Sequence, residues 1–272
     1  MSKKCSHIIE ASIMCEHFFV QGPMARDVKD LRLLLEVMSK GDNHDPRWMP
    51  VPLKGAVRKN SVKVAITRLP AGNKPDRVIA KALDKAALYL ADAGYVVKDV
   101  EAPFSKEMAE LWNSLIHTEI ELIGGEYMQS HGSEGLKTFF NSVGRNTKIL
   151  ALMEYMSAMK KRTAIVREWQ LFFEEYPILV TPFCLSLPYK VNEDLKGDER
   201  VKEILIDMQP SYTFNFLSLP AAIAPMGIHE DVPYAVQIVG QKFREDMILD
   251  AAEVIQQKIG ILPEKLWARE DK

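Results

Sequence analysis

The sequence predicts an α/β fold, and three patterns carry that prediction. Two alternating runs, Ser61-Val62-Lys63-Val64-Ala65-Ile66 and Tyr95-Val96-Val97-Lys98-Asp99-Val100, read as strands with an amphipathic helix between them. A helical pattern then extends from Ser105 to Tyr176. Short apolar strands return after it, bounded by proline and turn residues, before a closing helix. With 47% apolar and 26% charged residues in 272, the chain has ordinary globular composition and enough apolar side chains for a packed core.

The first element follows the stretch Val20 to Arg26. Asp27 is placed to cap a helix in which Val28, Leu31, Leu34, Leu35 and Met38 recur at helical spacing. Asp30 favours its first turn, and Gly41 stops it. The polar stretch Gly41 to Pro46 reads as a solvated loop, because Asp42, Asn43, His44 and Asp45 lack the spacing of a calcium loop. Pro75 opens the crossover helix, whose face is Ile79, Leu83, Ala86, Ala87 and Leu90, and Gly94 ends it. Strands joined by such a crossover lie parallel, with a right-handed connection.

In the helical region the expected buried residues are Trp112, Leu115, Ile116, Leu122, Met153, Met156, Trp169 and Phe172, a packing stripe rather than a cofactor box. Gly124-Gly125 and Ser130 to Gly135 supply its turns. Pro177 to Pro182 is a short buried strand ended by its own proline. A polar connection runs from Val191 to Arg200, and a helix from Val201 to Met208. Ala221 to Pro225 and Tyr234 to Gly240 are two more strands, compatible with a hairpin turning at His229-Glu230-Asp231. The closing helix buries Met247, Ile248, Ala251, Val254 and Ile255. No internal repeat or long linker divides the chain.

Charge and cysteine content narrow the setting. With 35 basic and 37 acidic residues, no global positive field recommends a nucleic acid or an anionic membrane as partner. Cys5, Cys15 and Cys184 are too few for a complete disulfide set and match no metal-ligand spacing, which favours a reducing compartment. Glu10 interrupts the apolar start after Ile8-Ile9, so no signal peptide is expected, and no window reaches the roughly 18 apolar residues of a membrane span. The expectation is a soluble cytoplasmic protein.

A search for catalytic chemistry in the residues themselves returns little. His131-Gly132-Ser133-Glu134-Gly135 lacks the glycine two residues before the serine, and it lies between helical patterns rather than at a strand-to-helix turn, so it reads as a loop. No phosphate cradle, dinucleotide fingerprint or zinc-protease motif is present, and no cofactor is implied. His117 reads as a packed or surface residue, and nothing names a base for Cys184.

Four segments nevertheless resemble the amidase signature family, in family order from about Glu16 onward. The stretch Gln21-Gly22-Pro23-Met24-Ala25-Arg26, with Asp30 after it, resembles the family segment that opens a helix behind the active site. Leu179-Val180-Thr181-Pro182 resembles a strand ending in Thr-Pro. Phe214-Asn215 begins a run to Pro220-Ala221-Ala222 that resembles the family approach to a strand, and Tyr234 to Gly240 with Phe243, Asp246 and Leu249 resembles the closing strand and helix. The resemblance implies the C-terminal part of the amidase signature fold, a mixed sheet flanked by helices and left incomplete. It implies residues 16–272 as a partial amidase domain, with residues 1–15 unassigned.

Enzymes of that family cleave carboxylic amides through an acyl-enzyme, using a serine, a second serine in a cis peptide and a lysine, all upstream of the Gly-Pro-Met-Ala-Arg stretch. Here Ser2, Ser6 and Ser12 precede it without a Gly/Ser-rich loop, no Ser-Ser dipeptide occurs anywhere, and Lys3 and Lys4 lie too close to Gly22. No catalytic residue is therefore carried over. The resemblance leaves Thr181, Pro182, Phe214 and Asn215 as a pocket wall, and Gly22, Pro23, Arg26 and Asp30 as a structural motif with Arg26 and Asp30 paired at (i, i+4). The expectation is a truncated amidase relative, inactive alone, with an exposed sheet edge open to a second copy or a complementary amidase half. Two alternatives stand beside it: a split amidase completed by another chain, and a non-enzymatic α/β binding module.

Overall fold

The computed structural model describes residues 12–41, 45, 48–56, 61–264 and 267. Ser2, Lys3, Lys4, Cys5 and Ser6, and the loop positions Asp42, Asn43, His44 and Pro46, lie outside the described residues. Five strands form one mixed sheet: β1 (Lys63–Ile66), β2 (Val96–Asp99), β3 (Ile178–Pro182), β4 (Ala221–His229) and β5 (Val232–Gly240), in the order β2-β1-β3-β5-β4. β1 runs parallel to both β2 and β3, and the β4–β5 hairpin joins antiparallel to β3. The sheet does not close, so β2 and β4 are its edges.

Local chemistry explains the helices beside it. Asp27 caps α2 (Val28–Met38) by accepting the Asp30 N–H at 2.9 Å. Asp76 caps α3 (Arg77–Asp92) through the Val78 N–H, so Pro75 precedes the cap rather than opening the helix, and Gly94 turns the chain away at φ 90°. α3 is the crossover between parallel β1 and β2. Helix α10 (Glu245–Ile259) joins α2 and α3 on one face of the sheet, burying Val28, Leu83, Leu90, Ile248 and Ile255 against Val64, Ile66, Ile178, Val180, Val236 and Ile238.

The other face carries the helical region. Ala65, Leu179 and Val239 pack there beneath α1 (Ile13–Phe18), α4 (Lys106–Glu119), α7 (Leu152–Glu175) and α9 (Gln209–Leu217). Trp169, Phe173, Phe214 and Phe216 fill this layer. Each fully buried aromatic or aliphatic side chain of this kind contributes about 1.5–3 kcal/mol. Because both faces are covered, β3 is buried at all five positions, which is why its sequence shows no alternation.

Three expectations need correction. Leu122, Met153 and Met156 are 73%, 71% and 57% exposed. The buried stripe of α7 runs through Tyr155, Ala158, Ile165, Trp169 and Phe173, so Met156 sits one residue, about 100°, off that stripe and Met153 about 200° off it. Leu122 lies in a π-helical turn, Ile120–Gly124, whose wider winding breaks the phase of α4. Gly124-Gly125 is accordingly no chain reversal: the π turn runs straight into α5 (Gly125–His131), and the reversal comes at Gly132-Ser133 before α6 (Glu134–Asn146). Finally, the helix expected at 201–208 is α8 (Asp198–Asp207), and a further helix, α9, follows it directly with Pro210 in its first turn.

Candidate functional site

Thr181 ends up deep in the sheet. It is directly opposite Gln237 in the β3–β5 register, two residues from the opposed pair Leu179 and Val239, so all four share the face beneath α9. Thr181 Oγ1 and Gln237 Oε1 are both buried, and neither has a hydrogen-bond partner among the described residues. Thr67, by contrast, donates to the Val100 carbonyl at 2.6 Å and accepts the Ala102 N–H at 3.0 Å. Buried polar groups are nearly always paired, so two such atoms on opposed residues mark this part of the sheet. Gln237 was missed from the sequence, although a glutamine inside Val236-Gln237-Ile238-Val239 is a polar break in an apolar strand.

The other expected wall residues lie elsewhere. Pro182 closes β3 and is buried. Phe214 is a core residue, edge-on to Trp169 and Phe104 with ring centroids 5.5 and 5.7 Å away. Asn215, next along α9, is exposed. The structure therefore does not gather Thr181, Pro182, Phe214 and Asn215 around one cavity.

The C-terminus of α9 anchors α1. Ser218 adopts a left-handed conformation at φ 56°, and its hydroxyl donates to the His17 carbonyl at 2.7 Å while accepting Arg162 Nη2 at 2.9 Å. Arg162 also donates to the Phe216 carbonyl at 2.7 Å and lies 5.1 Å from the Phe18 ring centre. Burial pushes its guanidinium down to about 10. At the other end of α1, the buried Glu119 carboxylate accepts the Met14 N–H at 2.9 Å and the Tyr155 hydroxyl at 2.6 Å, and burial with this bond pushes the Tyr155 phenol up. These groups hold a helix in place.

Gly22 and Pro23 lie in the irregular segment that leads into α2. Arg26 and Asp30 form no ion pair: the Arg26 guanidinium lies 4.5 Å from the Trp267 ring centre, and the Asp30 N–H serves the Asp27 cap. α2 is fixed instead to α10, through Val28 N–H to Gln256 Oε1 at 2.8 Å and Arg32 to Asp250 and Glu253 at 2.7 and 3.0 Å. A cavity of about 380 Å³ separates residues 20–25 and Leu31 and Leu35 of α2 from the start of β4 and Ile248 of α10. Its walls are mostly apolar, with Gln21 and Glu245 as the polar side chains among the lining residues.

The remaining sequence candidates resolve into structural roles. Gly132 and Ser133 join α5 to α6, and the Ser133 hydroxyl accepts the Leu136 N–H at 3.2 Å as a helix cap. His117 is buried, with Gly144 packed so closely that a Cβ there would lie 2.9 Å from its Nε2, and burial pushes the imidazole pKa down. Ser130 Oγ contacts His131 Nδ1 at 2.8 Å, but both are exposed and Ser130 also donates to the Glu126 carbonyl. Among the described residues no group of three or more His, Cys, Asp or Glu could hold a metal ion, and no helix is long and apolar enough to cross a membrane.

Comparison with known proteins gives the family and the fold. The Amidase family model matches residues 11–249. The chain is 35% identical over 263 residues to an indoleacetamide hydrolase of Bradyrhizobium diazoefficiens, covering 96% of this chain and 50% of that one. It is 26% identical over 276 residues to a glutamyl-tRNA(Gln) amidotransferase subunit of Brucella canis, covering 90% of this chain and 56% of that one. The structure of 6-aminohexanoate cyclic dimer hydrolase superposes with a TM-score of 0.70 at 20% identity, over 87% of this chain and 54% of that one. A bacterial aryl acylamidase of the amidase signature enzymes gives 0.68 at 21% identity, over 90% and 54%. Both share the fold, and the chain spans about half the length of the curated relatives it matches. By the extent of the family match and the identity to its relatives, the chain belongs to the Amidase family.

Proposed function

We propose that these residues form the supporting half of an amide-hydrolase fold and do not cleave amides by themselves. The observation that carries this reading is chemical: the sequence has no adjacent serine pair, and the serine hydroxyl that meets a histidine ring among the described residues, that of Ser130, is exposed and bonded to its own helix. Acyl transfer needs a nucleophile, a base within reach and donors aimed at the oxyanion, and no described cluster combines the three. In this reading Thr181 and Pro182 back the reaction site, with Phe214 and Asn215 on the helix behind, and Gly22, Pro23, Arg26 and Asp30 shape the approach to α2. Cys15 and Cys184 are free thiols, which suits a reducing cytoplasm. The test is a fluorophosphonate probe together with aliphatic and aryl amides, applied to the purified chain. Neither labelling nor turnover is expected; robust activity overturns the proposal.

A second reading is that a complementary chain supplies the serines, the lysine and the oxyanion loop. The open β4 edge and the two orphaned polar atoms beside it on the sheet favour it, and the Brucella canis relative is by its name one component of a larger enzyme. Co-expression with a Gly/Ser-rich amidase half is expected to yield a co-purifying, active pair. Failure to co-purify removes this reading and leaves the first intact.

A further inference from the structure

A polar cluster at the C-terminal end of β3 has no part in the reading above. Beyond Pro182 the chain arches over a cavity of about 320 Å³, walled by Ile79, Met208 and Tyr234 and by the loop residues Cys184, Ser186 and Tyr189. Ligands of α/β proteins collect at the carboxyl ends of strands, in apolar clefts with a few convergent polar groups. Here the convergent groups are two hydroxyls. Ser186 Oγ donates to Asp207 Oδ2 at 2.7 Å, Tyr189 donates to the same oxygen at 3.1 Å, and the hydroxyl oxygens lie 3.0 Å apart. Cys184 Sγ sits 3.7 Å from Ser186 Oγ and 3.6 Å from the Tyr189 hydroxyl.

The hydrogen-bond arithmetic decides what fits. Ser186 shares its proton between Asp207 Oδ2 and the Tyr189 oxygen, and Tyr189 donates to Asp207, so two protons serve three oxygens and each hydroxyl oxygen keeps acceptor capacity at the cavity wall. Burial pushes the Tyr189 phenol up, which keeps its proton in place. The carboxylate behind them has a charge to offer: Asp207 forms no ion pair among the described residues. Arg200, 5.3 Å from the Tyr189 ring centre, is committed to Glu193 and Glu203. A ligand group that donates hydrogen bonds and carries positive charge answers both features.

We propose that this cavity binds a small primary amine, its ammonium on the oxygens of Ser186 and Tyr189 with Asp207 behind them, and its apolar arm against Ile79, Met208 and Tyr234. Cys184 reports occupancy, because a ligand at the hydroxyls covers its sulfur. The rate of Cys184 alkylation by iodoacetamide is followed at its own peptide by mass spectrometry at neutral pH, with 2-phenylethylamine or its uncharged counterpart 2-phenylethanol present. The amine is expected to slow alkylation, and the alcohol to need about tenfold higher concentration for equal protection, as charged hydrogen bonds are roughly twice as strong as neutral ones. Asp207→Asn keeps an acceptor oxygen but loses the charge, and is expected to erase the amine's advantage. Tyr189→Phe keeps the ring and is expected to weaken protection by the amine, so the test survives if the Asp207 variant does not fold. Equal protection by amine and alcohol, no protection by either, or an undiminished preference in folded Asp207→Asn overturns the proposal. Amide turnover is not read in this experiment, so its outcome is independent of the supporting-half reading.

Discussion

Thr67 and Thr181 are both fully buried, yet the hydroxyl of one is bonded twice and that of the other not at all. The physical consequence is an asymmetry in what their removal costs. Thr67→Val strips the Val100 carbonyl and the Ala102 N–H of their partner, and is expected to destabilise the chain by about 1–3 kcal/mol. Thr181→Val replaces an unbonded hydroxyl with a methyl of the same shape, and is expected to be neutral or stabilising, since a buried polar atom without a partner carries only its desolvation cost. Urea unfolding of the two variants reads the difference directly. A loss at Thr181 as large as that at Thr67 would mean that the Thr181 hydroxyl is bonded in solution. Thr181 was visible in the sequence because Leu179-Val180-Thr181-Pro182 resembles the amidase-family strand that ends in Thr-Pro. Its orphaned state was not, because it depends on Gln237, 56 positions later in number and opposite only through the register of β3 and β5.

The hairpin of β4 and β5 turns through Glu230 and Asp231, both in the left-handed region at φ 47° and 64°. Two consecutive positive φ values define the tight turn whose twist matches the flanking strands, and the residues that fit it best are asparagine, aspartate and glycine. Glu230 is the poorer fit of the two. Glu230→Asn is therefore expected to raise stability by about 0.5 kcal/mol and Glu230→Val to lower it by about 1 kcal/mol, read from thermal midpoints. The turn was legible because short polar residues separate two apolar runs, and β1, α3 and β2 were legible because their periods change from two to 3.6 and back. α9 was not: Pro210 interrupts the run after Met208, and nothing local says that the helix restarts at once rather than leading straight into β4. The misassigned burial of Met153 and Met156 has a similar origin, since α7 is rich in apolar residues on several sides and only its packing on α4 and α9 selects the Tyr155–Trp169 stripe. A site completed by residues far apart in sequence leaves the same kind of gap.

At the scale of the whole molecule, the unresolved tension is the β4 edge. Ala224 and Met226 are buried against α10, but Ala221, Ile223 and Pro225 on the opposite face are exposed, and no strand pairs beyond β4 among the described residues. The far half of the strand is blunted: Pro225 offers no N–H, and a bulge between Pro225 and Gly227 disrupts the ladder. Gly227 is confined to this bulge at φ 150°, where a Cβ would lie 2.8 Å from the Tyr234 hydroxyl. The near half, residues 221–224, has neither device, and Ile223 is 46% exposed beside the mostly apolar cavity under residues 20–25. An unprotected apolar edge pairs with whatever strand reaches it. The isolated chain is accordingly expected to sediment as concentration-dependent oligomers, and Ile223→Lys to return it to a monomer. Because Ile223 packs in neither buried cluster, that substitution is expected to change stability by no more than about 0.5 kcal/mol, so a shift in sedimentation without a shift in the unfolding midpoint isolates the edge as the cause. A wild-type chain that stays monomeric at every concentration would show that the bulge and Pro225 protect the entire strand.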